Sequence, residues 1–431
     1  MRLLKHALAV ALAAGLATTA LPPASAQAHT SSNTNSNSAS SFKRVAYFIQ
    51  WGIYGRNYHV KDVETSGAAA KLTHVNYAFG FVGADSTCFS ADPWADWQRP
   101  VGADEAVNGV ADADDQPLKG NLNQLKELKA KHPGLKALIS LGGWTGSAHF
   151  SDAVLTADAR AKLAASCIDL WLKGNIPGLP AGAGAGVFDG IDLDWEWPGS
   201  DGNVGNTIRP EDKQNFTLFL AELRKQLDAY DRRAQITAFL PAAATKIDAG
   251  FEVSKIFRYL DFGSVQGYDL HGPWETLTGH NGNLFNDRRD PNAVKFSIDQ
   301  TVRDYLKRGA PARKIVVGMP AYGHGWTGVA AGPKHDGLWQ PSTGAAPGTW
   351  EAGSEDYKVL AAKPGKRYRD ILTGSLWLYN GTDFWSYDDP GTLLEKAAYI
   401  RLKGLGGSMM WSIDGDDTKA SLTSALYSVL R

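Results

Sequence analysis

The stretch Phe188–Pro198, FDGIDLDWEWP, sets Asp192, Asp194 and Glu196 at every second position. A β-strand sends alternate side chains to opposite faces, so these three carboxyls share one face. Neighbours on that face lie roughly 6.5–7 Å apart, from a rise of about 3.3 Å per residue. The other parity holds Ile191, Leu193, Trp195 and Trp197, an apolar face that reads as buried. The strand therefore reads as central in a sheet. The plain alternative is a polar sheet surface facing solvent. Carboxylates on a central strand are costly to hold, and that cost points to a working site. Three acids this close repel one another, so at least one keeps its proton above the usual carboxyl range. A protonated acid beside an ionised one is the pairing that glycosidic bond cleavage uses.

Working outward, short apolar runs alternate with amphipathic segments. The strands are expected at Val45–Gln50, His74–Phe79, Ala137–Leu141, Gly190–Trp195, Gln235–Phe239, Phe262–Gln266, Lys314–Met319 and Gly407–Trp411. Helical patterns cover Leu122–His132, Ala157–Lys173, Glu211–Tyr230, Ala293–Arg308 and Gly391–Lys403. This alternation predicts an α/β protein, a (β/α)8 TIM barrel. An open doubly wound sheet is the rival, but no Gly-rich phosphate fingerprint follows the first strand. Residues 82–117 read as a long Asp-rich loop. Residues 321–388, after the seventh strand, are too long for a bare loop and read as a small inserted α+β subdomain at the C-terminal mouth of the barrel.

The 431 residues carry a formal net charge of −1, which argues against nucleic acid or an anionic membrane as partner. Residues 1–26 read as a secretory signal: Arg2 and Lys5, a short Ala/Leu run, then Ala24-Ser25-Ala26. Residues 27–41, rich in Ser and Asn, read as a disordered leader, leaving 42–431 as the catalytic barrel. A secreted, extracellular monomer is expected. Of the two cysteines, Cys88 and Cys167, an oxidising compartment favours one disulfide; two separate buried thiols are the alternative.

Active-site residues collect at the C-terminal ends of barrel strands. Trp51, Trp144, Glu196, Tyr268, Asp269, Tyr322 and Trp411 all fall there. Any one tryptophan is by default a core residue. Several aromatics at strand ends make a sugar-stacking cleft the better reading.

With ISLGGW before it and QGYDLHGPW after it, FDGIDLDWEWP resembles family 18 glycoside hydrolases, the main bacterial chitinase family. The motif DxxDxDxE is filled by Asp189, Asp192, Asp194 and Glu196, and the likeness runs from Val45 to Ile413. The insertion and the closing MMWSIDGDD agree with the branch having a deep cleft. The resemblance implies a mechanism in which the substrate's own 2-acetamido oxygen attacks the anomeric carbon and forms an oxazolinium ion, with retention. By resemblance Glu196 is the general acid/base, Asp194 holds the acetamido N–H, and Asp192 shares a proton with Asp194. Tyr268 and Asp269 grip the acetamido group. Asp189, Ser140, Gly142 and Gly143 belong to the structural part of the motifs. Trp411 floors the pocket, and Trp144 and Trp274 lie under sugars on the leaving-group side. Trp51 stacks on the opposite side with Tyr54 and Arg56, and Tyr322 contacts substrate near the cut. Two positions depart from many relatives: Gln266 stands where Met is common, and His324 where Arg is. Gln266 is expected to stay near the sugar pocket. An imidazole does not replace an arginine fork, so weaker or pH-dependent contacts are expected at His324.

The leading reading is thus a chitinase acting on chitin and N-acetylglucosamine oligomers. A catalytically dead sugar-binding barrel is disfavoured because Glu196 is present. An endo-acting glycosidase on N-linked glycans is disfavoured by the insertion and by aromatics on both sides of the cut. The ten histidines form no HExxH pair, and no metal or cofactor is implied.

Overall fold

Runs rich in β-branched and aromatic residues form eight parallel strands. They are β1 (Lys43–Ile49), β2 (His74–Val82), β3 (Lys136–Gly142), β4 (Gly190–Asp194), β5 (Gln235–Leu240), β6 (Phe262–Val265), β7 (Ile315–Pro320) and β8 (Gly407–Trp411). The computed structural model describes residues 42–431; the expected signal and leader lie outside the described residues. β1 pairs in parallel with both β2 and β8, and this closes the sheet. Helices fill the crossovers, so the fold is the expected (β/α)8 TIM barrel.

One expected helix starts late, and another changes its winding. The segment expected at Ala293–Arg308 is helical only over Ile298–Lys307. Ser297 Oγ accepts from Gln300 N at 3.2 Å, and a capping serine holds an extended backbone, so the residues ahead of it stay outside the helix. The segment expected at Ala157–Lys173 is α-helical to Cys167 and then widens into a π-turn over Ile168–Leu172.

The stretch expected as a long loop over 82–117 is more structured than that. β2 runs on to Val82 and turns back into an antiparallel pairing with Cys88–Phe89. Cys88 is bridged to Cys167, so the two cysteines form the expected disulfide. Asp96 anchors the rest: it is fully buried and accepts from Tyr77 Oη, from Ser90 Oγ at 2.5 Å and from Gln50 Nε2 at 3.3 Å. Burial pushes its carboxyl up to about 7.

Between β7 and β8 the chain builds the α+β insertion. Tyr322–Thr327 is the hub of a six-stranded antiparallel sheet and pairs with Gly344–Ala345, Ser354–Asp356 and Phe384–Tyr387. Lys366–Asp370 and Ser375–Tyr379 complete it, and Tyr357–Leu360 is its short helix. Trp326, Leu338, Trp377 and Phe384 give it a core of its own. It leaves the C-terminal end of β7 and so stands at the mouth of the barrel.

Candidate active site

Three neighbouring strands bring polar side chains together inside the barrel. In the parallel register Ser140 of β3 lies beside Asp192 of β4, and Asp192 beside Thr237 of β5. Asp192 is fully buried and accepts three hydroxyl donors: Tyr47 Oη at 2.6 Å, Ser140 Oγ at 2.8 Å and Thr237 Oγ1. Burial raises its carboxyl, and these donors work against the rise. One turn of the pleat further on, Asp194 is 4 % exposed, and its Oδ1 is buried with no partner among the described residues. Burial, and then the charges of Glu196 and Asp192, raise this carboxyl well above its ordinary value. Glu196 is partly accessible at the cleft floor. Burial and the charge of Asp269 push its carboxyl up to about 8. The expected line of three acids therefore exists, and it grades from an acid held by donors to one held by none.

The loop after β3 closes against these acids. Gly142 has φ 111°, and a Cβ there would lie 2.3 Å from Asp194 O, so only glycine lets the loop approach. Gly143 N then donates to Asp194 O at 2.8 Å. Asp189 lies apart from the site: it pairs with Lys129 at 2.7 Å and accepts from Ala137 N at 2.9 Å.

A hollow of about 170 Å³ holds Asp194 and Glu196, walled by Phe79, Trp144, Phe239, Gln266, Tyr268, Asp269 and Trp411. Tyr268 stacks on Phe239 at 5.9 Å and meets Tyr322 edge-on at 6.1 Å. Asp269 sits at φ 55° and donates its N–H to Asn281 Oδ1 at 2.8 Å. Its Oδ1 accepts from Tyr322 Oη and lies 2.8 Å from His324 Nε2. Gln266 stays at the pocket, with Oε1 accepting from Ala242 N at 3.2 Å.

A second cavity of about 370 Å³ adjoins it, sharing Trp144, Asp269 and Trp411 and adding Arg56, Trp274, Tyr322, His324 and Glu351. Trp144 and Trp274 are 49 % and 63 % exposed, flat faces open to a ligand. Trp274 rests edge-on against His324 at 5.0 Å. On the other side, Trp411 stacks on Phe79 at 5.6 Å, and Phe79 on Trp51 at 6.1 Å, which makes a continuous aromatic row. Tyr54 is exposed nearby and donates to Asp92 at 2.7 Å.

Arg56, expected to line the same stretch as Trp51 and Tyr54, is held by contacts from the insertion and from the end of the barrel. It lines the cavity of Trp144, Trp274 and Trp411. Two carboxylates draw it there: Nη1 lies 2.8 Å from both Asp356 Oδ2 and Asp414 Oδ2. Its guanidinium also stacks 4.8 Å over Trp350. Phe79 was missed as a site residue although it sits at the expected end of the second strand, where strand-end position was the available signal. Thr237 carried no motif; only register brings it to Asp192. Among the described residues no group of three or more His, Cys, Asp or Glu is arranged to hold a metal.

Residues 43–416 match the pattern of "Glycosyl hydrolases family 18". Chitinase A1 of Niallia circulans is 37% identical over 420 residues, 89% of this chain and 58% of that protein. Chitinase C of Streptomyces lividans is 38% identical over 391 residues, 86% of this chain and 57% of its own length. The chain thus spans well under two thirds of these curated relatives. The catalytic domain of psychrophilic chitinase B from Arthrobacter TAD20 superposes with a TM-score of 0.87 at 46% identity, covering 91% of this chain and 96% of that one.

Proposed function

The chain belongs to glycosyl hydrolases family 18, and we propose that it is a secreted chitinase that hydrolyses β-1,4 bonds between N-acetylglucosamine units. Glu196 protonates the leaving oxygen. The 2-acetamido oxygen of the substrate attacks the anomeric carbon from the opposite face and forms an oxazolinium ion. Asp194 Oδ1 accepts the acetamido N–H and offsets the positive charge; Tyr268 donates to the acetamido carbonyl. Glu196, now ionised, takes a proton from the water that opens the ring, and configuration is retained.

One observation carries this reading. A carboxyl held protonated up to about pH 8 stands beside a buried oxygen of the Asp194 carboxyl group that no group among the described residues satisfies. An unsatisfied buried acceptor costs roughly 1–3 kcal/mol, and a ligand N–H recovers that cost. Exposed Trp144 and Trp274 on one side, and the row Trp411–Phe79–Trp51 on the other, suit a linear polymer of flat sugar faces. The charged start, apolar run and Ala24-Ser25-Ala26 of residues 1–26 support export, as does the disulfide.

The test compares N-acetylglucosamine hexamer with the same oligomer stripped of its acetyl groups. Cleavage of the first with β-anomeric product, and none of the second, is expected. Brisk cleavage of the deacetylated chain would overturn the substrate-assisted reading.

A further inference from the structure

Glu196 lies past the last ladder residue of its strand. β4 ends at Asp194, so the backbone N–H and C=O of Glu196 have no neighbouring strand to bond. Buried backbone groups need partners, and here two side chains supply them. Ser147 Oγ accepts from Glu196 N at 2.8 Å, and Asn206 Nδ2 donates to Glu196 O at 2.8 Å. Ser147 is fully buried, and its hydroxyl faces two carbonyls, Gly143 O at 2.9 Å and Asp194 O at 3.2 Å. One hydroxyl thus ties the β3 loop, the end of β4 and the acid together. The loop that delivers it is tightly closed: a Cβ on Gly146 would lie 2.2 Å from Gly142 O. Asn206 comes from the other direction, on the chain that follows Glu196, and is partly exposed.

We propose that Ser147 and Asn206 are positioning residues for the general acid: between them they set the height and direction at which Glu196 enters the cleft. This rests on the reading of Glu196 as the acid. Neither residue reaches the reacting atoms; each acts through the Glu196 backbone. A misplacement of about 1 Å costs roughly a hundredfold in rate when the group must meet one oxygen. The anchoring also governs the proton. The titratable and charged groups facing Glu196 are Asp194 on β4, Lys246 past β5, Tyr268 and Asp269 past β6, and Tyr322 past β7. None of these side chains bonds to either anchor; Asp194 is touched only through its backbone, where its C=O accepts from Ser147 Oγ at 3.2 Å. A Glu196 freed from its anchors moves toward the open cleft, gains water, and gives up its proton at lower pH.

The experiment measures kcat, KM and the alkaline limb of kcat/KM on N-acetylglucosamine hexamer for Ser147→Ala, Asn206→Ala and Ser147→Thr. Melting curves and hexamer binding by tryptophan fluorescence are taken alongside. Each alanine variant is expected to lose about ten- to a hundredfold in kcat, with KM within about twofold of wild type. Its alkaline limb moves down by about half a pH unit or more. Ser147→Thr keeps the hydroxyl and recovers most of the rate. Asn206→Ala, at a partly exposed position, keeps the test open if Ser147→Ala fails to fold. The proposal is overturned if the alanine variants keep wild-type kcat and limb. It is also overturned if kcat falls only with the folded fraction while the limb stays fixed. Glu196→Gln is the control that separates the two readings: normal turnover by that variant would mean that the acid assignment failed, whatever the anchors do.

Discussion

Replacing Glu196 by Gln is expected to make the protein more stable at alkaline pH while sharply lowering its activity. The folded protein holds this carboxyl at about 8 against an ordinary value of 4.5, because burial and the Asp269 charge disfavour the ionised form. The folded state therefore binds the proton more tightly than the unfolded chain. The resulting stability is fully present below about pH 4.5 and is lost as pH rises through 8. At about 1.36 kcal/mol per unit, the ceiling on that loss is about 5 kcal/mol. Glu196 is partly accessible at the cleft floor, and water there reduces the figure to about 2 kcal/mol. A domain of this size unfolds with an entropy of about 0.8 kcal/mol per degree, so the shift in Tm is about 2–3 °C. Glutamine keeps the shape and cannot ionise. Thermal melts of both proteins, followed by the fluorescence of the 14 tryptophans, give the answer. The variant is expected to melt about 2–3 °C above wild type at pH 8.5 and level with it at pH 4. With Glu196 as the proposed general acid, kcat is expected to fall by about 10²–10⁴. Equal melting temperatures at both pH values, or a variant less stable at pH 8.5, would refute the electrostatic argument.

Three further outcomes follow from other parts of the molecule. Cys88 and Cys167 are 79 residues apart, so removing the bridge by Cys88→Ser with Cys167→Ala is expected to cost about 2–4 kcal/mol, read as a drop in denaturant midpoint; an unchanged midpoint would contradict it. Arg56→Met leaves Asp356 and Asp414, 8 % and 1 % exposed, without their shared cation. Its expected cost is about 3 kcal/mol of stability, together with weaker hexamer binding by fluorescence titration; a variant as stable as wild type would show that the clamp is idle. His324→Arg puts a permanent charge and a larger, forked side chain against Asp269, where the imidazole Nε2 now lies 2.8 Å from Oδ1. Hexamer affinity by fluorescence titration is expected to change, and an affinity equal to wild type would show that this contact does not shape the cavity of Trp144 and Trp274.

The insertion does more than deepen the cleft. Its strand Tyr322–Thr327 places Tyr322 and His324 against Asp269, which comes from the loop past β6. Its strand Ser354–Asp356 supplies the carboxylate that draws Arg56 across from the loop past β1. The wall of the cavity is therefore fastened to the barrel through groups that also line the cavity. Changes meant to alter binding on this side will also alter how the insertion sits.

The alternation of apolar runs and amphipathic segments was enough to locate all eight barrel strands, because strand period and helix period are local properties of the chain. The parity of Phe188–Pro198 was enough to put Asp192, Asp194 and Glu196 on one face, for the same reason. Asp189, of the other parity, pairs with Lys129 away from the acids. What the chain could not reveal by itself depends on closure of the barrel and on docking of the insertion. Thr237 meets Asp192 only through the register of β4 and β5, and Phe79 joins Trp51 to Trp411 only because β1, β2 and β8 are neighbours in a closed sheet. Arg56 is held at the cavity of Trp144 and Trp274 because Asp356 and Asp414, both far along the chain from it, place two carboxylates within its reach. Ser147 and Asn206 belong to no motif, and they matter because β4 runs out of partners two residues before the acid. Periodicity is written residue by residue; which side chain completes another's hydrogen bonds or charge is decided by folding.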